Sequence, residues 1–148
     1  MQHTNNDLED WTLDSARVGN VDAADLPFEV RREDIAGAAV TLTSSRTLLK
    51  GSIVSAAGTP ANGLEVVVYP SDPRYRTRGT RRVAIARTNI DGQFEAGGLP
   101  PGSYEIAIVD DIDREALQDP AFLGSLKSSG AVTLRQGDTL IHRIGLPR

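Results

Sequence analysis

The sequence predicts an all-β domain of about seven strands with a short helix before the last two. Three observations carry this expectation. Phe94 and Ala96 alternate with Gln93 and Glu95, and Tyr104, Ile106 and Ile108 alternate with Ser103, Glu105 and Ala107, the period of two that a strand with one buried face requires. Turn residues bracket both runs, with Asn89-Ile90-Asp91-Gly92 before the first and Gly97-Gly98-Leu99-Pro100-Pro101-Gly102 between them. The 148 residues, 39% of them apolar, suit one ordinary core, or one domain plus a fragment.

Taken in order, residues 47–54 read as a first strand, residues 57–63 as a loop and residues 64–69 as a second strand that Pro70 ends. Residues 71–82 are too polar to bury and form a loop before a third strand at 83–88. The next turn is expected to use the Asp91 side chain on its own backbone and Gly92 at positive φ. Pro100 and Pro101 fix φ and lack the donors of a central ladder, so with Gly102 they turn the chain between the fourth and fifth strands. After Ile108 an acidic stretch leads into helix from about Asp113 to Lys127, interrupted at Asp119-Pro120, where proline opens a second helical turn. Residues 132–134 and 139–146 finish the sheets.

The first 45 residues resemble the end of the domain that follows. Val30-Arg31-Arg32-Glu33-Asp34-Ile35 with Val40-Thr41-Leu42 aligns without gaps on Leu134-Arg135-Gln136-Gly137-Asp138-Thr139 with Ile144-Gly145-Leu146, each reading as strand, turn, strand. The run from Trp11 to Val18 matches the strand beginning at Tyr104. Residues 1–45 are therefore expected to hold the last strands of a preceding, similar module, and residues 46–148 a complete one. Strands without neighbours expose unpaired backbone groups, so those of the first segment either fold onto this module or complete another copy.

The pattern T-x-x-D-G-x-F-x-x-x-G-L-P-P-G-x-Y-x-I over Thr88 to Ile106 resembles the signature of carboxypeptidase regulatory-like domains, the prealbumin-like (transthyretin-like) β-sandwiches found as modules in many bacterial surface proteins. Leu49-Lys50-Gly51-Ser52-Ile53-Val54, Gly58-Thr59-Pro60 and Gly63-Leu64-Glu65-Val66-Val67-Val68 resemble that family's opening hairpin. Gln118-Asp119-Pro120-Ala121-Phe122-Leu123, Val132-Thr133-Leu134 and Gly137-Asp138 resemble its ending in a bacterial subgroup. The resemblance covers roughly residues 46 to 148. It implies a Greek-key β-sandwich, prealbumin-like or Ig-like, acting as a non-catalytic structural or interaction module of an extracytoplasmic protein at the cell surface, in the periplasm or secreted. Its partners would be other protein modules or copies of itself.

Charge and composition narrow the alternatives. A net charge of -4 and a pI near 5.1 give no general reason to expect nucleic acid or an anionic membrane as partner. With no cysteine, disulfides and thiol chemistry are excluded. No apolar run approaches the ~18 residues that span a bilayer, and the polar start lacks an apolar signal region, so an exported protein's signal peptide is not present in this chain. The surface-site candidate is Arg74, Tyr75, Arg76, Arg78, Arg81 and Arg82, continuing to Arg87, because arginine forks suit carboxylate and phosphate. It is either a glycan- or peptide-binding loop, with Tyr69 and Tyr75 as platform, or a solvated stretch neutralised by acids between Asp110 and Asp119.

Catalytic and metal chemistry find little support. Asp110, Asp111, Asp113, Glu115 and Asp119 offer oxygens, but no glycine stands where a calcium loop needs one. His3 and His142 are the only imidazoles, which leaves zinc without its usual ligands, and no cofactor is implied. His142 shares parity with Leu140, Ile144 and Leu146 and reads as a partly buried structural residue. No nucleophile-elbow motif surrounds any serine, so enzymatic activity is not expected. A Lys50 isopeptide crosslink is rejected because Lys50 has the outward parity and the last strand has no Asn or Asp.

Overall fold

The computed structural model describes residues 11–147; His3 and the polar start lie outside them. The described residues are all-β, with ten strands among them: β1 (Thr12–Val18), β2 (Val21–Asp22), β3 (Ala39–Thr43), β4 (Leu48–Val54), β5 (Glu65–Pro70), β6 (Ala84–Arg87), β7 (Gln93–Gly97), β8 (Gly102–Val109), β9 (Ser128–Leu134) and β10 (Thr139–Gly145). An α-helix, α1 (Pro120–Ser125), lies between β8 and β9, preceded by a 3-10 turn at Ala116–Gln118.

Seven strands from β4 onward form two facing sheets, ordered β10-β4-β7 and β6-β5-β8-β9. Inward residues of both make one core: Leu49 and Ile53, Val66 and Val68, Phe94 and Ala96, Tyr104 and Ile106, Val132 and Leu134, and Ile144. The alternation read in β7 and β8 points these side chains inward. Strand β5 carries an unbroken apolar run because its second face is also covered: Val67, Tyr69 and Ala107 pack beneath Leu117 and Leu123 of the helical segment. That segment is capped where the sequence suggested, with Asp119 Oδ1 accepting from Ala121 N at 2.9 Å and Pro120 opening the helix. Pro70 does not follow the strand but forms its last, buried residue.

Two glycines are fixed by contact. A Cβ on Gly51 would stand 2.1 Å from the Phe94 ring across the β4–β7 ladder, so the ring fills the place a side chain would take. Gly92 has φ 71°, and a Cβ there would meet the Ile53 carbonyl at 2.5 Å. The side chain closing this turn belongs to Asn89, whose Oδ1 accepts from Asp91 N at 3.0 Å and Gln93 N at 2.9 Å. Asp91 itself is exposed, because the acceptor must precede the turn to reach both amides.

The first strands form a separate sheet, β2-β1-β3. No strand forms at Val30: β1 already has β2 on one edge and β3 on the other, and residues 27–38 have no free edge of β1 to join. The parallel with the module's end therefore stops at sequence. There, β8 and β10 lie in different sheets, whereas β1 and β3 pair directly.

Candidate functional site

The arginine loop is brought against the first sheet by a residue that sequence reading passed over. Asp25 follows β2 and is buried, its side chain 1% exposed. Arg81 grips both of its carboxylate oxygens, Nε to Oδ1 and Nη2 to Oδ2, each at 2.9 Å, and Arg82 Nη2 adds a third bond to Oδ2 at 2.8 Å. Arg81 also donates to the carbonyls of Leu13 and Asp14 at 2.5 and 2.9 Å. The register of β1 against β3 shifts between Leu13 and Ser15, which places this irregularity where the guanidinium reaches the backbone. One arginine thus holds both Asp25 and β1.

Arg82 ties the same carboxylate to the core. Its Nη1 donates to the Pro101 carbonyl at 3.0 Å and approaches the Tyr104 hydroxyl at 3.5 Å. The fully buried Tyr104 donates from its hydroxyl to the Pro100 carbonyl at 2.6 Å, a corner of the kind that fixes strand entry in β-sandwiches. The Arg82 guanidinium lies 4.5 Å from the centre of the Tyr75 ring, while its Nε has no acceptor among the described residues. Pro100, Pro101 and Gly102 therefore turn the chain and also present two carbonyls to this network.

The electrostatics follow from this geometry. Burial pushes the Asp25 carboxyl upward, but hydrogen bonds from Arg81 and Arg82 and their charge outweigh it and hold the group at about 2. Burial pushes the Tyr104 phenol up to about 12, against the pull of Arg82. The arrangement is a buried, charge-assisted clasp in which both oxygens of Asp25 are satisfied by the two guanidinium groups, while Arg82 Nε is left without an acceptor among the described residues.

Three of the other four arginines in this cluster are also engaged. Arg76 is largely buried over the Tyr69 ring at 5.4 Å, donating to the Pro70 and Ser71 carbonyls at 2.9 and 3.0 Å and to Glu105 at 3.3 Å. Arg74 pairs with Asp72 at 2.7 Å beside Tyr75, and Arg87 pairs with Glu65 across the β5–β6 ladder at 3.5 Å. Arg78 is exposed and makes no ion pair among the described residues. Tyr69 is buried and donates its hydroxyl to the Leu126 carbonyl, so it offers no surface for a ligand. The neutralising acids are Asp25, Glu65, Asp72 and Glu105; Asp113 and Asp119 instead accept from backbone amides of the helical segment. Among the described residues, no group of three or more His, Asp or Glu is placed to hold a metal. His142 is half-buried, its ring beside Gly130.

A cavity of about 410 Å³ lies between the first sheet and the module, lined by Leu13 and Asp14 on one side and Leu48, Leu99, Pro100 and Pro101 on the other. The register pairs Leu13 with Leu42 and Ala16 with Val40, so these share one sheet face; Thr12, Ser15, Thr41 and Thr43 share the opposite one. The apolar face is uncovered: Leu13 is 39%, Leu42 46% and Val40 68% exposed. No helix among the described residues is long and apolar enough to cross a membrane.

No family model matches the chain, and no curated protein matches it. Among solved structures it is similar to the Bacillus anthracis TIE protein, with 18% identity and a TM-score of 0.46 over 76% of this chain and 18% of that one. It is similar to BcpA, the major pilin subunit of Bacillus cereus, with 12% identity and a TM-score of 0.45 over 74% and 31%. It is also similar to GBS52, the minor pilin of Streptococcus agalactiae, with 16% identity and a TM-score of 0.44 over 74% and 54%. The chain thus spans between 18% and 54% of the length of these proteins.

Proposed function

We propose that this chain is a non-catalytic structural and interaction module of a bacterial extracytoplasmic protein, acting in spacing, cohesion or assembly through β-strand contacts. Residues 46–148 are read as a carboxypeptidase regulatory-like sandwich, and the strands before them as its contact element. The observation that carries this reading is the distribution of satisfied and unsatisfied surface. Arg76, Arg81 and Arg82, half of the arginine cluster, are held by internal carboxylates and carbonyls, while the first sheet leaves an apolar face and the outer edge of β3 open. The Tyr104 corner and the Gly51–Phe94 contact give these members of the family-like motifs backbone and packing roles.

Light scattering after size exclusion tests the proposal on wild type and Val40→Asp. Wild type is expected to exceed one chain's mass as concentration rises, and the variant to remain monomeric; monomers throughout would reject assembly through this surface. A glycan or peptide site retains Arg74, Tyr75 and Arg78 as its accessible part. Saturable binding on a glycan array, abolished by Tyr75→Ala, would overturn the purely structural reading.

A further inference from the structure

We propose that residues 11–43 exchange between two copies of this chain, so that Asp25 of each is clasped by Arg81 and Arg82 of the other. The inference rests on the assembly reading above and names the partner and the residues it contributes. Among the described residues, no backbone hydrogen bond joins residues 11–43 to the sandwich. The contact is made by side chains: Arg81 to Asp25, Leu13 and Asp14, Arg82 to Asp25, and Gln136 Nε2 to Thr43 Oγ1 at 2.9 Å. Nor does any residue of the first sheet enter either core cluster. Every one of these bonds forms equally well between chains, and breaking them costs the sandwich none of its own packing.

The connector favours the exchange. Thr47 is buried and anchored, its carbonyl accepting from Gly98 N at 3.1 Å and its hydroxyl from Gly137 N at 3.3 Å, so residues 44–46 are the hinge. Three residues reach at most about 10 Å. Straightening so short a hinge carries the first sheet off its own sandwich and onto a neighbour's, the low-cost route to a closed two-fold dimer. A second copy is also the partner that carries the matching clasp, two adjacent arginines that receive a buried aspartate.

The chain has no cysteine, so introduced thiols report contact without interference. Leu13 and Gln136 line the same cavity from the two sides of the contact. Full-length Leu13→Cys and Gln136→Cys chains are mixed, incubated at high concentration and treated with a short bis-maleimide. Exchange predicts a covalent heterodimer that neither variant gives alone, its yield reduced several-fold when both chains also carry Asp25→Asn. If light scattering shows a dimer but linkage occurs only within single chains carrying both cysteines, exchange is wrong and the assembly reading stands. If the protein stays monomeric at every concentration, both are wrong.

Discussion

Replacing Asp25 by Asn keeps the size of the side chain and removes the charge that Arg81 and Arg82 surround. In the folded chain this carboxyl is held at about 2, against an ordinary value of 3.8. At 1.36 kcal/mol per pH unit, the clasp stabilises docking by about 2–3 kcal/mol at neutral pH. Because the folded value lies below the unfolded one, this contribution is present above about pH 4 and is lost as pH falls through about 2. The sandwich core does not depend on it, so the effect is local. Hydrogen exchange read residue by residue is the assay: protection of the β1 amides should fall on the order of 100-fold in Asp25→Asn at pH 7. Amides of β5 and β8 should keep theirs. In acid, wild-type β1 should converge on the variant, whose own protection factors stay flat. Unchanged β1 protection in the variant, or the same acid response in both proteins, would refute the assignment of docking to this carboxylate.

Gly51→Ala drives a methyl into the Phe94 ring and should cost about 3 kcal/mol in denaturant unfolding, with partial recovery in the double variant carrying Phe94→Leu. Tyr104→Phe removes the bond to the Pro100 carbonyl and should cost about 1–3 kcal/mol by the same measurement. In wild type the Tyr104 phenol should ionise near 12 by ultraviolet titration, and its stabilising effect, complete below about pH 10, is lost as pH rises toward that value. Leu123→Ala empties the space over Tyr69 and Ala107 and should lower stability by about 2–5 kcal/mol in thermal or denaturant unfolding.

The sandwich was legible because each of its strands carries a local signal. Alternation in β7 and β8, the proline stop after Tyr69 and the Asp119-Pro120 helix start each depend on neighbours a few residues away. Even the unbroken apolar run of β5 was readable as a strand, although nothing in it disclosed the helix that covers its second face. The clasp was illegible for the opposite reason: Asp25 stands 56 and 57 residues from its two arginines, in a segment with no periodicity of its own. Charge complementarity pointed the arginines toward the acids between Asp110 and Asp119, of which Asp113 and Asp119 cap backbone amides instead. The strand expected at Val30 was inferred from similarity to residues 134–146, and similarity in sequence did not supply the sheet edge a strand must join.

The pairing of β4 with β10 has a mechanical consequence. The two strands run parallel in unbroken register from Leu48↔Thr139 to Val54↔Gly145, so the chain enters the sandwich at one end of this ladder and leaves it at the other. Tension between entry and exit pulls the strands lengthwise past each other, loading the rungs together rather than opening them one at a time. Under load applied at those two points the ladder would be sheared, and its lifetime would follow the rate of unfolding rather than the equilibrium stability.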